Sequence, residues 1–173
     1  MKKLICLLMI CVLALSACGG SGDADTTKAA DGTTKAAEQQ TGDAFAFTVK
    51  GVKVVMNAEA KAITDALGEP KSYREEESCA FKGLDKEYNY GSFIIRTYPK
   101  DDVDYISGVD LMDDTVSTPE GLYIGATKDE VVKAYGQPSG DFYEYVKGDS
   151  SLLFLFDGDT VSSIQYTADT GLS

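Results

Sequence analysis

The sequence contains no histidine and no tryptophan, and only four of its 173 residues are cysteine. Without histidine it can form no Ser-His or Cys-His nucleophile pair and no imidazole zinc site, and it lacks the commonest general base. Only Cys79 lies in the part that we expect to fold, so no internal disulfide can form there. We expect it to be a small buried residue of a strand. These absences predict a non-enzymatic protein that needs no cofactor or metal.

Basic residues are also few. Lys and Arg number 16 against 28 Asp and Glu, a formal net charge of −12. An acidic chain is a poor ligand for nucleic acid or anionic lipid. Two minor alternatives stay open: a looser calcium site at Asp157 and Asp159, and a hydrolase using two convergent carboxylates. The carboxylates occur in short runs that we expect in loops, namely Glu75–Glu77, Asp101–Asp104, Asp113–Asp114 and Asp157–Asp159.

The N-terminus has the pattern of an export signal. Lys2 and Lys3 precede an apolar run, Leu4–Ala17, that is short for a membrane span and typical of a signal peptide. The run ends in Leu-Ser-Ala followed by Cys18, which resembles the lipobox of bacterial lipoproteins. That resemblance implies that residues 1–17 are removed and that Cys18 receives a diacylglyceryl group and further acylation, for example by palmitate. The protein would then be anchored on the extracytoplasmic side of a bacterial cell membrane. The alternative is an ordinary secretory signal.

A polar segment separates this cysteine from the folded part. Residues 18–44 contain no aromatic or branched aliphatic side chain, and TTKAA occurs twice, at 26–30 and 33–37. Such a segment cannot bury enough apolar surface to offset its ordering entropy. We expect a flexible tether with a root-mean-square span of about 28 Å. Residues 45–173 have the length of one domain.

Two stretches of this domain are similar. Residues 57–70 and 125–138 align at a constant offset of 68, which matches Ile63 with Val131. Each predicts a short helix, the first capped by Asn57 and the second by a capping box. The residues with capping-box spacing are Thr127 and Glu130, and those suited to closing the helices are Gly68 and Gly136.

Each helix is followed by candidate strands. They are residues 78–82, 87–98 and 103–112 after the first helix, and 141–146, 151–156 and 160–168 after the second. The last strands align at an offset of 55, and Asp157-Gly158 predicts a hairpin turn. Residues 47–56 and 121–125 are candidate edge strands. We therefore predict an α+β domain of two tandem (β)αβββ repeats, about 47–117 and 118–169, with short helices on one face of an antiparallel sheet and the other face partly open.

The duplicated arrangement resembles the family typified by β-lactamase inhibitor protein and the related small lipoprotein fold of SmpA/OmlA (BamE). The segments GLYIGATKDEVVKAYGQP and VMNAEAKAITDALGEP carry the resemblance. It implies a concave sheet that grips a partner protein, and several members are cell-envelope lipoproteins. This sequence departs from the family pattern in lacking tryptophan and a disulfide pair, and no inhibitory contact residue can be transferred.

Tyrosine is the most suggestive excess. If residues 87–98 form one strand, then Tyr88, Tyr90, Ile94, Arg96 and Tyr98 share a face, opposite Phe93 and Ile95. Tyr and Arg are enriched at interface anchors, although Tyr also suits any half-exposed strand. The candidate partner-binding face is Tyr88, Tyr90, Arg96, Tyr98, Tyr143 and Tyr145.

The leading hypothesis is a lipoprotein that binds a protein of the cell envelope. The alternatives are a small-molecule or glycan binder, the carboxylate-only hydrolase, and a purely structural spacer.

Overall fold

A computed structural model describes residues 44–171 of the chain. The proposed signal peptide, Cys18 and nearly all of the tether lie outside the described residues. The domain is α+β, with two eight-residue helices, α1 (Ala60–Leu67) and α2 (Lys128–Tyr135). Its strands are β1 (Ala46–Val49), β2 (Val52–Val55), β3 (Ser72–Glu77), β4 (Leu84–Asn89), β5 (Phe93–Lys100), β6 (Val103–Leu111), β7 (Tyr143–Lys147), β8 (Ser150–Asp157) and β9 (Thr160–Ala168).

The strands form two antiparallel sheets. β1 and β2 make a hairpin by themselves, and the other seven strands follow the order β3-β4-β5-β6-β9-β8-β7. The turn residues fit their turns: Lys50 and Gly51 both have positive φ between β1 and β2, and Gly158 has φ 60° between β8 and β9. Tight turns of this kind match the right-handed twist of paired strands. The hairpin predicted at Asp157-Gly158 is confirmed.

One face of the large sheet is covered by the two helices and the β1–β2 hairpin. Side chains alternate between the faces of a strand, so cross-strand partners lie on the same face. The buried side chains of one face share a single hydrophobic cluster with residues of both helices and the hairpin; we call this the covered face. The cluster includes Phe47, Val54, Leu67, Phe93, Ile95, Ile106, Val109, Val131, Leu152, Phe154, Val161, Ile164 and Tyr166.

The middle of the sheet is the junction of β6 and β9. These strands pair only over Gly108–Leu111 and Ile164–Thr167. A Cβ at position 108 would lie 2.8 Å from the carbonyl oxygen of Tyr166, so this close approach requires glycine. Where the two strands diverge, Ile106 of β6 and Val161 of β9 bond to other backbone. The Asn57 N–H donates to the Ile106 carbonyl and the Ile106 N–H donates to the Ala58 carbonyl, and Val161 bonds to Gly125 and Ala126 in the same way.

The two helices begin differently. Thr127 caps α2, because its side chain accepts from the Glu130 N–H at 3.3 Å and its own N–H donates to the Glu130 carboxylate at 2.8 Å. The predicted capping box is confirmed. Glu59 occupies the N-cap position of α1 without a side-chain hydrogen bond, so the prediction that Asn57 caps this helix is wrong. Gly68 and Gly136 follow the helices at φ 79° and 86°, a backbone region that favours glycine.

Four strand predictions were wrong. Residues 87–98 form parts of two strands, β4 and β5, because the chain reverses at 90–92. Residues 78–82 form a loop, and the strand that precedes it is Ser72–Glu77. Residues 47–56 fold as the separate β1–β2 hairpin rather than at the edge of the large sheet, and residues 121–125 form no strand.

Candidate functional site

The face of the large sheet opposite the helices remains accessible, and we call it the open face. A row of side chains crosses all seven strands on this face. Cross-strand pairing joins Arg74, Glu87 and Arg96 in one register and Asp110, Gln165, Leu153 and Glu144 in the neighbouring register, so the row steps by two residues between Arg96 and Asp110. Its members are polar except for one leucine, whereas the covered face is built from apolar residues. The polar composition of the open face is that of a sheet surface in contact with solvent.

Four members of the row form a chain of ion pairs across β3–β6. The Glu87 carboxylate lies 3.3 Å from the Arg74 guanidinium and 3.6 Å from that of Arg96, which also pairs with Asp110. The side chains of Arg74 and Arg96 are 64% and 48% exposed, while that of Asp110 is only 10% exposed. Asp110 therefore depends on Arg96 for a counter-charge, and both guanidinium groups still reach solvent.

A loop of residues 78–83 folds over one end of the open face. Its hydrogen bonds are internal: the Ser78 N–H donates to the Gly83 carbonyl at 3.0 Å, and the Phe81 N–H donates to the Ser78 hydroxyl at 3.2 Å. The Phe81 ring lies 4.9 Å from the ring of Tyr98, which is only 7% exposed. Loop and strands enclose a shallow groove, which we call the open-face groove. Its lining includes Arg74, Glu76, Phe81, Asp85, Glu87 and Arg96.

This loop also contains Cys79. The expectation of a buried cysteine in a strand was wrong, because the side chain is exposed and the residue belongs to the loop between β3 and β4. The strand ends at Glu77, after which the Ser78–Gly83 hydrogen bond closes the loop. Exposure by itself gives this thiol no chemical role.

Asn57 joins distant parts of the chain beside the open face. Its side-chain N–H groups donate to the Asp149 carboxylate and to the Asp169 carbonyl, both at 3.0 Å, and its side-chain oxygen accepts from the Tyr98 hydroxyl at 3.0 Å. Its φ of 61° is one that asparagine tolerates better than most residues. The amide thus fixes the chain after β2 to the residue that precedes β8 and to the residue that follows β9. We call this arrangement the Asn57 junction.

The predicted tyrosine face does not exist as one surface. Tyr88 pairs with Ile95 and so lies on the covered face, and Tyr90 lies in the turn, stacked on Phe93 at 4.9 Å. Tyr143 and Tyr145 pair with buried residues of β8 and also lie on the covered face.

Only Arg96 and Tyr98, among the predicted interface residues, are on the open side of β5, and Tyr98 is buried under Phe81. For Tyr88 and Tyr90 the prediction failed because the turn at 90–92 reverses the chain before Arg96. For Tyr143 and Tyr145 it failed because their side of β7 is the covered one.

Apolar side chains occupy the β7 end of the open face. Val146 is 75% exposed and Leu155 is 41% exposed, with Leu153 between them on the same face. Phe142, immediately before β7, is 71% exposed. We call these four residues the apolar edge. Single exposed apolar residues are common on protein surfaces, whereas several together at one sheet edge make the apolar edge a candidate interaction site.

Carboxylate chemistry finds little support in the geometry. Glu75–Glu77 belong to β3, Asp104 lies in β6, and Asp159 accepts from the Lys128 ammonium at 3.2 Å. In residues 44–171, no group of three or more Cys, Asp or Glu side chains is arranged to hold a metal ion. Hydrogen bonds from Thr115 lower the pKa of Asp113, the opposite of what a general acid needs.

Sequence reasoning missed the ion-pair row. Once a turn is placed at Tyr90–Ser92, alternation puts Glu87 opposite Arg96 and on the same face. The available signal was Asn89, whose side chain accepts from the Gly91 N–H at 2.7 Å, with Gly91 at φ 96°. An asparagine two residues before a glycine is a recognised turn pattern.

Comparisons with known proteins give little guidance. No protein-family model matches the sequence, and no curated protein matches it. The chain is similar to the crystal structure of an extracellular protein containing an SCP domain from Bacillus anthracis strain Ames, with a TM-score of 0.44 and 14% identity. The match covers 81% of this chain and 50% of that one, so this chain spans about half the length of that protein. A TM-score this low does not establish a shared fold. None of the described helices is long and apolar enough to cross a membrane.

Proposed function

We propose that this protein is a lipid-anchored, extracytoplasmic, non-catalytic lipoprotein whose open face binds a protein partner of the cell envelope. The observation that carries the binding role is the accessibility of a seven-stranded sheet face that holds paired but exposed arginines on β3 and β5 and exposed apolar side chains at its β7 end. Arginine and phenylalanine, here Arg74, Arg96 and Phe142, are among the residues enriched at protein interfaces. The anchoring role rests on the sequence around Cys18 and on the polar segment that follows it.

We also propose that the domain consists of two tandem repeats and is related to the β-lactamase inhibitor protein and BamE families. The backbone hydrogen bonds support this. Adding 68 to Asn57 and Ala58 gives Gly125 and Ala126, and adding 55 to Ile106 gives Val161. These equivalent residues make equivalent bonds: Asn57 N–H to Ile106 and Gly125 N–H to Val161, at 2.9 and 2.8 Å.

The β-bulges follow the same relation. Register shifts occur between Arg96 and Thr97, opposite β6, and between Leu155 and Phe156, opposite β9. The residues left without a pair are Ser107 and Ser162, which differ by 55. Because bulges re-aim a strand at a specific position, their recurrence at the same offset favours duplication over coincidence.

Site-specific photo-crosslinking in the producing cell tests the binding role. A benzoylphenylalanine replaces Thr167 or Leu155 on the open face, and Ala62 on the exposed side of α1 serves as the matched control. We expect one defined protein adduct from both open-face positions and none from position 62. Adducts from position 62 alone would contradict the proposal, as would a sugar or metal that co-purifies while no protein is captured.

A further inference from the structure

The two edges of the large sheet differ in how they are protected. β3 forms one edge and contains three consecutive glutamates, and all six of its residues are exposed. Charged side chains are a usual means of preventing another strand from pairing with an edge. β7 forms the other edge but carries Val146, whose side chain is 75% exposed, and is preceded by Phe142 at 71%. Charge is therefore denser on the β3 edge, where Arg74 and Glu75–Glu77 are charged, than on β7, where Glu144 and Lys147 flank the exposed Val146.

Backbone groups at the β7 edge are free to pair. β7 pairs with β8 along Tyr143–Lys147 and has no second neighbour among the strands of residues 44–171. An edge strand has unpaired N–H and C=O groups on its outer side, which can hydrogen-bond to an added strand. Five residues is the usual length of a strand in such a pairing.

Side chains at this edge indicate what would be recognised. Glu144 lies on the open face opposite Leu153, next to Val146. Within the described residues Glu144 has no hydrogen-bond or ion-pair partner, unlike Glu87 in the ion-pair row. A strand added to β7 would place its own open-face residues opposite Glu144 and Val146, two positions apart. The complementary residues are a basic one and an apolar one.

We propose that the β7 edge accepts an extended segment of the partner as an eighth strand, with a lysine or arginine opposite Glu144 and apolar residues on either side. This mode rests on the proposed protein-binding role and specifies its chemistry. The acidic character of the chain, with a formal charge of −12, favours a basic segment over a second copy of this protein.

The test uses the full-length protein in lipid nanodiscs and a fluorescein-labelled peptide, Thr-Val-Thr-Lys-Thr-Val-Thr, with empty nanodiscs as the blank. Fluorescence anisotropy measures binding, and hydrogen exchange locates it. We expect saturable binding, with slower exchange at Tyr143–Lys147. Glu144→Gln should weaken binding by about fivefold, which is the upper range for an exposed ion pair. Glu77→Gln, on the β3 edge and outside the open-face groove, is the matched control and should change nothing.

Two altered peptides separate strand addition from general attraction. A peptide methylated on alternate backbone nitrogens keeps every side chain but loses donors, so it should not bind. A peptide with glutamate in place of lysine should bind at least fivefold more weakly. Since Glu144 and Val146 are exposed, their substitution should leave the thermal midpoint unchanged.

Several results would overturn the inference. One is an absence of saturable peptide binding up to about 1 mM, a concentration that corresponds to a very weak complex. Another is that the methylated peptide binds as well as the unmodified one. A third is that the peptide slows hydrogen exchange at Ser72–Glu77 instead of at β7. Concentration-dependent protection of β7 without peptide would identify a second copy as the occupant. If the peptide fails while crosslinks from Thr167 still capture a protein, the strand-addition mode is wrong and the proposed function stands.

Discussion

The Asn57 junction should be a major source of stability for the domain. The side chain makes three hydrogen bonds of 3.0 Å to groups that are 41, 92 and 112 residues away in the sequence. A net contribution of roughly 0.5–1.5 kcal/mol per hydrogen bond, taken in its lower half because the site is partly exposed, gives about 2 kcal/mol. Alanine at φ 61° adds a backbone cost of about 1 kcal/mol. We therefore expect Asn57→Ala to lower the free energy of unfolding by about 3 kcal/mol.

Asn57→Gly separates the two contributions. Glycine tolerates the positive φ but makes none of the side-chain bonds, so it should be about 2 kcal/mol less stable than the natural protein and more stable than the alanine variant. Asn57→Asp places a carboxylate where an amide donates to Asp149 at 3.0 Å, so repulsion replaces attraction. The loss of unfolding free energy in Asn57→Asp should become smaller below about pH 4, where a protonated carboxyl group can again donate a hydrogen bond.

Urea unfolding followed by circular dichroism measures these differences, since a domain of this size is expected to unfold in one step. Tyr98→Phe, which removes one donor to Asn57, should cost about 1 kcal/mol. The reasoning is refuted if Asn57→Ala unfolds within about 0.5 kcal/mol of the natural protein, the range of an ordinary surface substitution. It also fails if the alanine and glycine variants are equally stable, because the backbone strain would then be absent.

Three further predictions concern a buried hydroxyl, a helix cap and the anchor. Burial raises the pKa of Tyr166 above its usual value of 10.0. The contribution of this tyrosine to the free energy of unfolding is therefore fully present below pH 10 and is lost above it, because Tyr166 ionises more readily in the unfolded chain. Each tyrosine of this kind lowers the free energy of unfolding by up to about 1.4 kcal/mol per pH unit. In Tyr166→Phe, the urea midpoint should decrease less steeply with pH above 10, and an unchanged pH dependence would refute this. At pH 7 the substitution should be neutral or stabilising, because the hydroxyl has no hydrogen-bond partner among the described residues. Glu59→Thr with Ala62→Glu, which copies the α2 capping box onto α1, should raise the free energy of unfolding by about 1 kcal/mol, and an unchanged thermal midpoint would refute the cap assignment. Cys18→Ser should abolish palmitate labelling and release the protein from membranes, whereas persistent labelling would exclude this cysteine as the anchor.

Local features were predicted well from the sequence. The α2 capping box, the turn at Asp157-Gly158 and the bounds of β9 depend on residues within a few positions of one another. Their energetics are short-range: a hydroxyl and a carboxylate three residues apart, or a glycine that permits a positive φ. Such interactions form in the same way wherever the segment lies in the fold.

The composition of the open face was only partly predictable. Arg96 was identified as accessible, and its side chain is 48% exposed and paired with two carboxylates. Tyr88 and Tyr90 were misplaced because the unrecognised turn at 90–92 separates them from β5, and Tyr143 and Tyr145 were misplaced because the sequence does not show which face of β7 is covered. A period-2 pattern states which residues share a face within one strand but gives no relation between strands.

The amino-acid sequence by itself determined the acidic character of the chain, the exclusion of histidine chemistry, the capped second helix and most strand positions. Only the tertiary structure decided the order of the strands, the partners of Asn57 and Asp110, and which of the two sheet edges carries the exposed apolar residues. The physical reason is distance along the chain. Asn57 bonds to groups up to 112 residues away, and such contacts exist only after packing brings distant segments together.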